Sequence, residues 1–500
     1  MPQPLIPADA ALQLLTPEEM GRVDRATIAA GTPGSVLMER AGRALAERVR
    51  DRWDGGRIVV LAGPGNNGGD GFVAARWLAG WGFAVELALL GERTALRGDA
   101  ALAAAAWSGP VGSLTRPVLD GVGIVVDALF GAGFRGALTD DAAAWAMATA
   151  DAAVPVVAAD LPSGVDGATG TVSGASFLAR ESVTFGRAKP GHFLLPGAAR
   201  AGAVSVVDIG LDPAAIAAAA DAEPGPMWRN RPTSWRDRLP RRRADAHKYA
   251  FGHVVVVAGD VSHGGAGRLA ARSALAAGAG LVTLACPSPA VSVNAARLDA
   301  VMVRGVDDGD LEPLLEDRRR NVWVLGPGAG VGPRLREQVA TVLGAGRTAV
   351  LDADALTSFA DGLDELGHLI DAACVLTPHA GEAARLATPT GDKVADARFL
   401  AARTGAVVVL KGFDSVIAAP DGAVRIADNG CAALATAGSG DVLAGLIAGL
   451  LAGGMAAFDA AAAAVWLHNA AGAAAQRALT ADDLPGLVRF VLPIATERGP

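Results

Sequence analysis

The feature that most constrains this chain is a recurring short unit. A run of β-branched residues stops at glycine, aspartate or proline, and a helical stretch follows. In the first two hundred residues the strand-like runs are Arg57 to Ala62, Phe83 to Leu90, Gly123 to Ala128, Val154 to Ala159 and Ala203 to Ile209. Helical patterns lie around Arg76, Ala101 and Ala143, after an N-terminal helical pair from Thr16 to Arg52. Alternation of this kind predicts an α/β fold with a mostly parallel sheet covered on both faces. Between Asp212 and Pro232 the pattern dissolves, and Ala222-Glu223-Pro224-Gly225-Pro226 reads as a linker.

Alternation then restarts with His253 to Ala258, Leu281 to Cys286, Asn321 to Leu325, Ala349 to Asp352, Ala373 to Leu376 and Ala406 to Leu410. A hairpin, Ser415 to Ala418 with Ala423 to Ala427, and three helices (Asp441 to Gly453, Asp459 to Leu479 and Asp482 to Phe490) complete the chain. With 500 residues there is too much chain for one core, so two domains are expected, over 1–225 and 235–500.

A formal charge of −8 gives no footprint for nucleic acid, and the one basic cluster, Arg236 to Arg243, reads as a solvated approach to the second domain. Three cysteines, two of them in strand-like runs, do not make a secreted disulfide framework. No leader pattern or membrane span is evident, so the expected compartment is the cytoplasm and no membrane partner is expected. The small apolar helices are compatible with a homo-oligomer. Nucleophile elbows, Walker lysine loops, paired histidines and Cys-x-x-Cys are all absent from the sequence.

Chemistry concentrates where strands end. Ile58 to Ala62 runs into Gly63-Pro64-Gly65-Asn66-Asn67-Gly68-Gly69-Asp70-Gly71 and then a helix. Glycines let backbone N–H groups approach an anion, and the helix dipole favours negative charge. Alone, that glycine spacing is as readily a tight turn. Two amides and a carboxylate in the same turn favour a ligand. Asp127 precedes Gly131-Ala132-Gly133-Phe134-Arg135-Gly136-Ala137, and Asp160 precedes Leu161-Pro162-Ser163-Gly164. Each aspartate singly has the commoner fate of a cap or turn residue. Three such loops at one sheet edge point to a crevice.

On these motifs the first half resembles the NAD(P)H-hydrate epimerase family (the YjeF N-terminal domain), which implies a Rossmann-like three-layer α/β/α domain. The resemblance implies that Asp160 is the acid/base residue. It places the dinucleotide on Asn66, Asn67, Gly68, Gly69 and Asp70 and on Gly131 to Ala137, and potassium on Asn67, Asp127 and Ser163. Ala132 stands where the family often has threonine, which puts one hydroxyl contact in question.

In the second half, Gly438-Ser439-Gly440-Asp441 opens a helix, and successive glycine N–H groups there form an anion hole beside a carboxylate. Thr377-Pro378-His379, Lys411-Gly412-Phe413-Asp414-Ser415, Gly326-Pro327-Gly328-Ala329-Gly330 and Asp352-Ala353-Asp354 follow other strands. Together with Gly265-Ala266-Gly267, these resemble the ADP-dependent NAD(P)H-hydrate dehydratases, with a ribokinase-like α/β/α domain. The resemblance implies that Ala266, Gly328, Gly330, His379 and Asp441 contact the hydrate. It assigns Lys411, Gly412, Phe413, Asp414, Ser415 and Gly440 to ADP, with magnesium on the phosphates. Asp441 would be the base that lets the hydrate's hydroxyl take a phosphoryl group. Cys431-Ala432 replaces the family's asparagine-proline pair.

Two other readings stand beside this one. The second half alone also suits a small-molecule kinase acting on a vitamin precursor alcohol, with the first half as an accessory nucleotide-binding domain. The first half alone would also suit a non-catalytic scaffold. The joint presence of Asn67, Asp127, Asp160 and Ser163 weighs against the scaffold.

Overall fold

The computed structural model describes residues 10–241, 246–475 and 479–496, so Arg242 and Arg243 of the basic cluster lie outside the described residues. The chain divides into two compact units, Met1–Trp228 and Arg229–Pro500. In the first unit, strands β1 (Arg57–Ala62), β2 (Val85–Leu89), β3 (Gly112–Ser113), β4 (Val122–Ala128), β5 (Val156–Ala159), β6 (Glu181–Phe185) and β7 (Ala203–Val207) form one sheet in the order β3-β2-β1-β4-β5-β6-β7. Every pairing is parallel. One face packs Leu45, Phe72, Leu78 and Trp107, and the other packs Leu129, Trp145 and Phe177, so helices cover both sides. Strand order turns at the β1–β4 boundary, and the ends of β1, β4 and β5 share one edge. Ligands of open parallel sheets bind at such a reversal.

Strand β6 was not legible from pattern, because Glu-Ser-Val-Thr-Phe is half polar although all five residues are buried. Each polar group on it has a partner. Ser182 Oγ donates to Ala201 O at 2.7 Å. Glu181, 0% exposed, accepts from Arg48 Nε at 2.7 Å, Arg52 Nε at 2.6 Å and Ser205 Oγ at 2.6 Å. Burial pushes the Glu181 carboxyl up, and these donors outweigh that and hold it below its ordinary value. The stretch read as structureless also contains a helix, Pro213–Ala220, with Asp212 as N-cap accepting from Ala214 N and proline at its first position.

The second unit has β8 (His253–Val257), β9 (Leu281–Cys286), β10 (Met302–Gly305), β11 (Val322–Leu325), β12 (Thr348–Leu351), β13 (Cys374–Leu376), β14 (Val407–Leu410), β15 (Val416–Ala418) and β16 (Val424–Ile426), in the order β16-β15-β14-β13-β12-β11-β8-β9-β10. The pairings from β14 to β10 are parallel, and the β14-β15-β16 end is antiparallel. Strand β10 escaped the sequence reading because it is a largely exposed edge strand. The second unit begins at Arg229, ahead of the expected Trp235. Asn230 Nδ2 donates to Ala462 O at 2.7 Å, and Trp235 Nε1 donates to Asn230 Oδ1 at 3.1 Å, which ties this segment to the second core. The abundant alanine and glycine have a packing use. A Cβ on Gly445 would lie 2.1 Å from Ala270 O, so helices Ser439–Ala452 and Gly264–Ala276 nearly touch backbone to backbone. Among the described residues, no helix is long and apolar enough to cross a membrane.

Glu181→Ala leaves two guanidinium groups without their shared carboxylate. It is expected to cost the first unit about 2–4 kcal/mol, below a fully buried pair because both arginines reach solvent. Scanning calorimetry should show an earlier transition for one unit with the other unchanged; an unaltered profile would remove Glu181 from the account of β6.

Candidate functional sites

In the first unit the loop after β1 is glycine-rich for two separate reasons. A Cβ on Gly63 would fall 1.7 Å from Leu129 O, and one on Gly68 would fall 1.9 Å from Gly63 O, so these glycines let the backbone close on itself. Gly69 packs against Met38 Sδ, where a Cβ would come within 2.6 Å. Gly65 and Gly133 face open space. The loop opens helix Asn66–Gly80 beside a cavity of about 570 Å³, whose lining includes Asn66, Asn67, Asp70, Gly131, Ala132, Gly133, Phe134 and Asp160. Gly68, Gly69, Arg135, Gly136 and Ala137 are not part of that lining among the described residues, and Arg135 Nε pairs with Asp166 at 3.1 Å.

Asp160 is the first residue after β5 and has φ of +61°, a left-handed conformation that costs a non-glycine residue of order 1–3 kcal/mol. What holds it there is a closed set of bonds. Its N–H donates to Val183 O at 2.8 Å and its carbonyl faces His192 Nε2 at 2.8 Å. Its Oδ2 accepts from Ala132 N at 2.9 Å, and its Oδ1 accepts from Lys189 Nζ at 2.5 Å and from Thr184 Oγ1 at 2.8 Å. The contact from residue 132 is made by main chain, so alanine supplies it as well as threonine would. Lys189 N donates to His192 Nδ1 at 3.0 Å, which makes Nε2 the protonated nitrogen that donates to Asp160 O. Burial pushes the Asp160 carboxyl up, but the charge and hydrogen bond of Lys189 outweigh it and bring it down to about 2. Burial brings His192 down to about 4, so this ring is neutral. Asp70 and Asp24, on the same cavity, are raised by burial, with the charge of Asp160 adding to it.

Beneath the cavity Asp127, at the end of β4 and 0% exposed, accepts from Ser163 N at 2.7 Å and from Ser163 Oγ at 2.6 Å. Burial pushes its carboxyl up to about 6 against those bonds. Asn67 Oδ1 faces Asp160 Oδ2 across Gly131, where a Cβ would lie 3.3 Å and 3.2 Å from them respectively. Among the described residues, Asn67 Nδ2 is buried without a hydrogen-bond partner.

Two cavities of the second unit border the residues that the motifs single out. One, of about 440 Å³, is lined by His379, Lys411, Gly412, Phe413, Ser415 and Gly440, and also by Cys431, His468 and Asn469, which motif reading did not reach as ligand contacts. The other, of about 600 Å³, is lined by Gly328, Gly330, Asp260, His263 and Asp354, with Ala266 beside Gly328. Asp441 sits in the first turn of helix Ser439–Ala452, whose N-cap Gly438 has φ of +88°. Burial and then the charge of Asp352 push its carboxyl up to about 7, with Lys411 opposing and Asp354 adding. Asp441 is in the lining of neither cavity, although Lys411 of one and Asp354 of the other both act on its charge. Lys411 Nζ donates to Asp352 Oδ1 at 2.6 Å, and Thr377 Oγ1 donates to the same atom at 2.8 Å.

Two expected contacts have structural employment. His379 caps helix Ala380–Leu386, with Nδ1 accepting from Gly381 N at 2.9 Å and Glu382 N at 3.2 Å, and it lies on the 440 Å³ cavity. Asp414 pairs with Lys393 at 2.5 Å and is not in the lining. The missed residue Lys189 carried a signal of sorts, as did the lysine partner of Asp352. The chain has only four lysines, and three of them, Lys189, Lys393 and Lys411, contact aspartates.

The family described as YjeF-related protein N-terminus matches residues 34–191, and the family described as NAD(P)H-hydrate dehydratase matches residues 254–489. The bifunctional NAD(P)H-hydrate repair enzyme Nnr of Moorella thermoacetica is 37% identical over 96% of this chain and 97% of its own length. That of Escherichia coli is 35% identical over 92% and 90%. Among solved structures, an ADP/ATP-dependent NAD(P)H-hydrate dehydratase from Bacillus subtilis, co-crystallized with ATP/Mg2+, is 27% identical with a TM-score of 0.45, covering 52% of this chain and 95% of that one.

The steric split among the glycines gives a test that does not depend on activity. Gly63→Ala and Gly68→Ala are expected to lower the melting temperature of the first unit by several degrees. Gly65→Ala and Gly133→Ala should leave it within about a degree, because their sites are open. Equal effects from all four, read by thermal denaturation, would contradict the division.

Proposed function

The chain belongs to the bifunctional NAD(P)H-hydrate repair enzymes, and from that premise we propose how its two sites divide the repair of hydrated NADH and NADPH. The first unit interconverts the R and S hydrates. The second dehydrates the S hydrate to the reduced dinucleotide, consuming ADP and releasing AMP and phosphate. The substrates are small molecules and the work belongs in the cytoplasm.

The observation that carries the first assignment is the half-buried, left-handed Asp160 bonded to Lys189 on a cavity rimmed by Asn66, Asn67 and Asp70. Epimerising a carbinolamine-like carbon takes a hydroxyl off one face and restores it on the other. The ring nitrogen's lone pair assists departure, and protons move to and from oxygen. Asp160, ionised down to about pH 2, is the proton acceptor. Lys189, donating to the same carboxylate, keeps that charge in place. The N–H groups at the start of helix Asn66–Gly80 suit the dinucleotide's phosphates.

Potassium fits the oxygen donors beneath this cavity. Asp127 is wholly buried and, among the described residues, has only Leu129 and Ser163 as hydrogen-bond partners, so a cation held by Asp127, Ser163 Oγ and Asn67 Oδ1 would meet oxygen donors of the kind it favours. Bound there, the ion would supply the missing positive charge and fix the loop.

In the second unit Asp441 takes the proton from the hydrate's hydroxyl as that oxygen attacks the β-phosphorus of ADP. The bond from that phosphorus to the bridging oxygen breaks, and AMP leaves. The helix N-terminus at Ser439 and Gly440 receives the charge on the transferring group, and Lys411 faces the phosphates. The phosphate group then departs with the push of the ring nitrogen, and loss of a proton from the adjacent ring carbon restores the ring double bond. Magnesium would be held mainly by the phosphates, with Asp354 on the 600 Å³ cavity as the nearby carboxylate, since Asp352 is buried and bonded to Lys411 and Thr377.

Asp160→Ala is expected to reduce epimerisation at least 100-fold, after subtraction of the spontaneous rate, while dehydration of the S hydrate stays within twofold. Asp441→Ala should do the reverse. If either variant loses both activities while folded, or neither, the division is wrong. A second check uses pH. Asp441 is protonated below about 7 and must be ionised to act, so kcat/KM for dehydration should rise through about pH 7 and level off above it. A flat profile from pH 5 to 8 would count against Asp441 as base.

A further inference from the structure

The cavity bearing Lys411 and Gly440 has a wall that no sequence motif predicted. It comes from helix Ala457–Ala474, where His468 and Asn469 face the cavity. His468 is only 7% exposed, and its Nε2 has no hydrogen-bond partner among the described residues. A buried polar atom left unpaired opposes folding, and native structures hold few of them. The other ring nitrogen is occupied, because the ring donates to the main-chain carbonyl of Ser439, the first residue of the anion-hole helix. Burial brings the imidazole down to about 4, so it is neutral at physiological pH. A neutral ring whose Nδ1 donates carries its lone pair on Nε2. That atom is therefore an acceptor. Phosphate oxygens would be repelled by it, and it calls for an uncharged N–H or O–H.

We propose that His468 Nε2 accepts a hydrogen bond from the nucleoside half of the bound nucleotide, either the exocyclic amino group of adenine or a ribose hydroxyl, and so determines which nucleotides the second site accepts. This rests on reading the cavity as the ADP site. The surroundings agree with it. Phe413, Leu434, Leu443 and Val465 give the cavity apolar walls suited to a purine face, apart from the polar end at Lys411 and Gly440. A pocket built to pair with a donor discriminates strongly against an analogue that lacks it.

The test compares kcat/KM for dehydration using ADP, inosine diphosphate, 2′-deoxy-ADP and 3′-deoxy-ADP, in the full chain and in His468→Leu and His468→Gln. The unsubstituted chain should favour ADP over one analogue class by about 10- to 100-fold. His468→Leu should lose that factor with ADP and nothing further with that analogue. His468→Gln, whose amide oxygen can accept, should recover part of it. A factor that vanishes with inosine diphosphate identifies the amino group, and one that vanishes with a deoxy analogue identifies the ribose. Equal losses on every nucleotide, or no loss on ADP, would overturn the proposal. Calorimetric titration of the unsubstituted chain with AMP separates the two levels: absence of AMP binding there would dispose of the ADP-site reading itself, and this inference with it.

Discussion

Both sites depend on how a carboxylate at the end of a buried parallel strand is balanced by nearby charge. In the first unit Lys189 sits directly on Asp160, and the pair is closed by Thr184 and the N–H of Ala132. In the second unit Lys411 sits on Asp352, and Asp441 beside them is pushed up first by its own burial and then by the charge of that aspartate. One device therefore gives two results. Asp160 is fixed in its ionised form, and Asp441 is poised near neutrality, where proton exchange with a substrate hydroxyl is easiest. The strain at Asp160 belongs to the same arrangement, since a left-handed residue persists only where its surroundings over-determine it.

Much of this was legible in the sequence because it was carried by local pattern. Runs such as Ile58 to Ala62 and Val407 to Leu410 could only be buried strands, and the aspartates and glycines following them had to fall at one edge of a parallel sheet. The partners of those aspartates were not legible. Lys189 lies 29 residues beyond Asp160 on the far side of a strand that pattern reading missed. That strand was missed because its buried glutamate, serine and threonine are satisfied by residues distant in sequence, Arg48, Arg52 and Ala201 among them. His468 was hidden for a related reason. It lies within an alanine-rich helix that reads as core, and its significance comes from one unpaired atom on a cavity wall.

The glycines show how one motif can hold two roles. Gly63 and Gly68 are needed because backbone meets backbone, whereas Gly65 and Gly133 border open space where a ligand can approach. As letters in a glycine-rich loop all four look alike, and only the distances separate them. The same holds for the expected contacts at His379 and Asp414, one a helix cap and the other half of an ion pair with Lys393.

The central claim is that the two carboxylates are held in opposite states by their neighbours. Site-resolved carbon-13 titration of the aspartate carboxyls in the full chain tests it most directly. Asp160 should remain ionised until about pH 2 while Asp441 changes state at about 7. Were both to titrate together near 4, the ordinary range for aspartate, burial and neighbouring charge would not be setting the two states and the claim would fail.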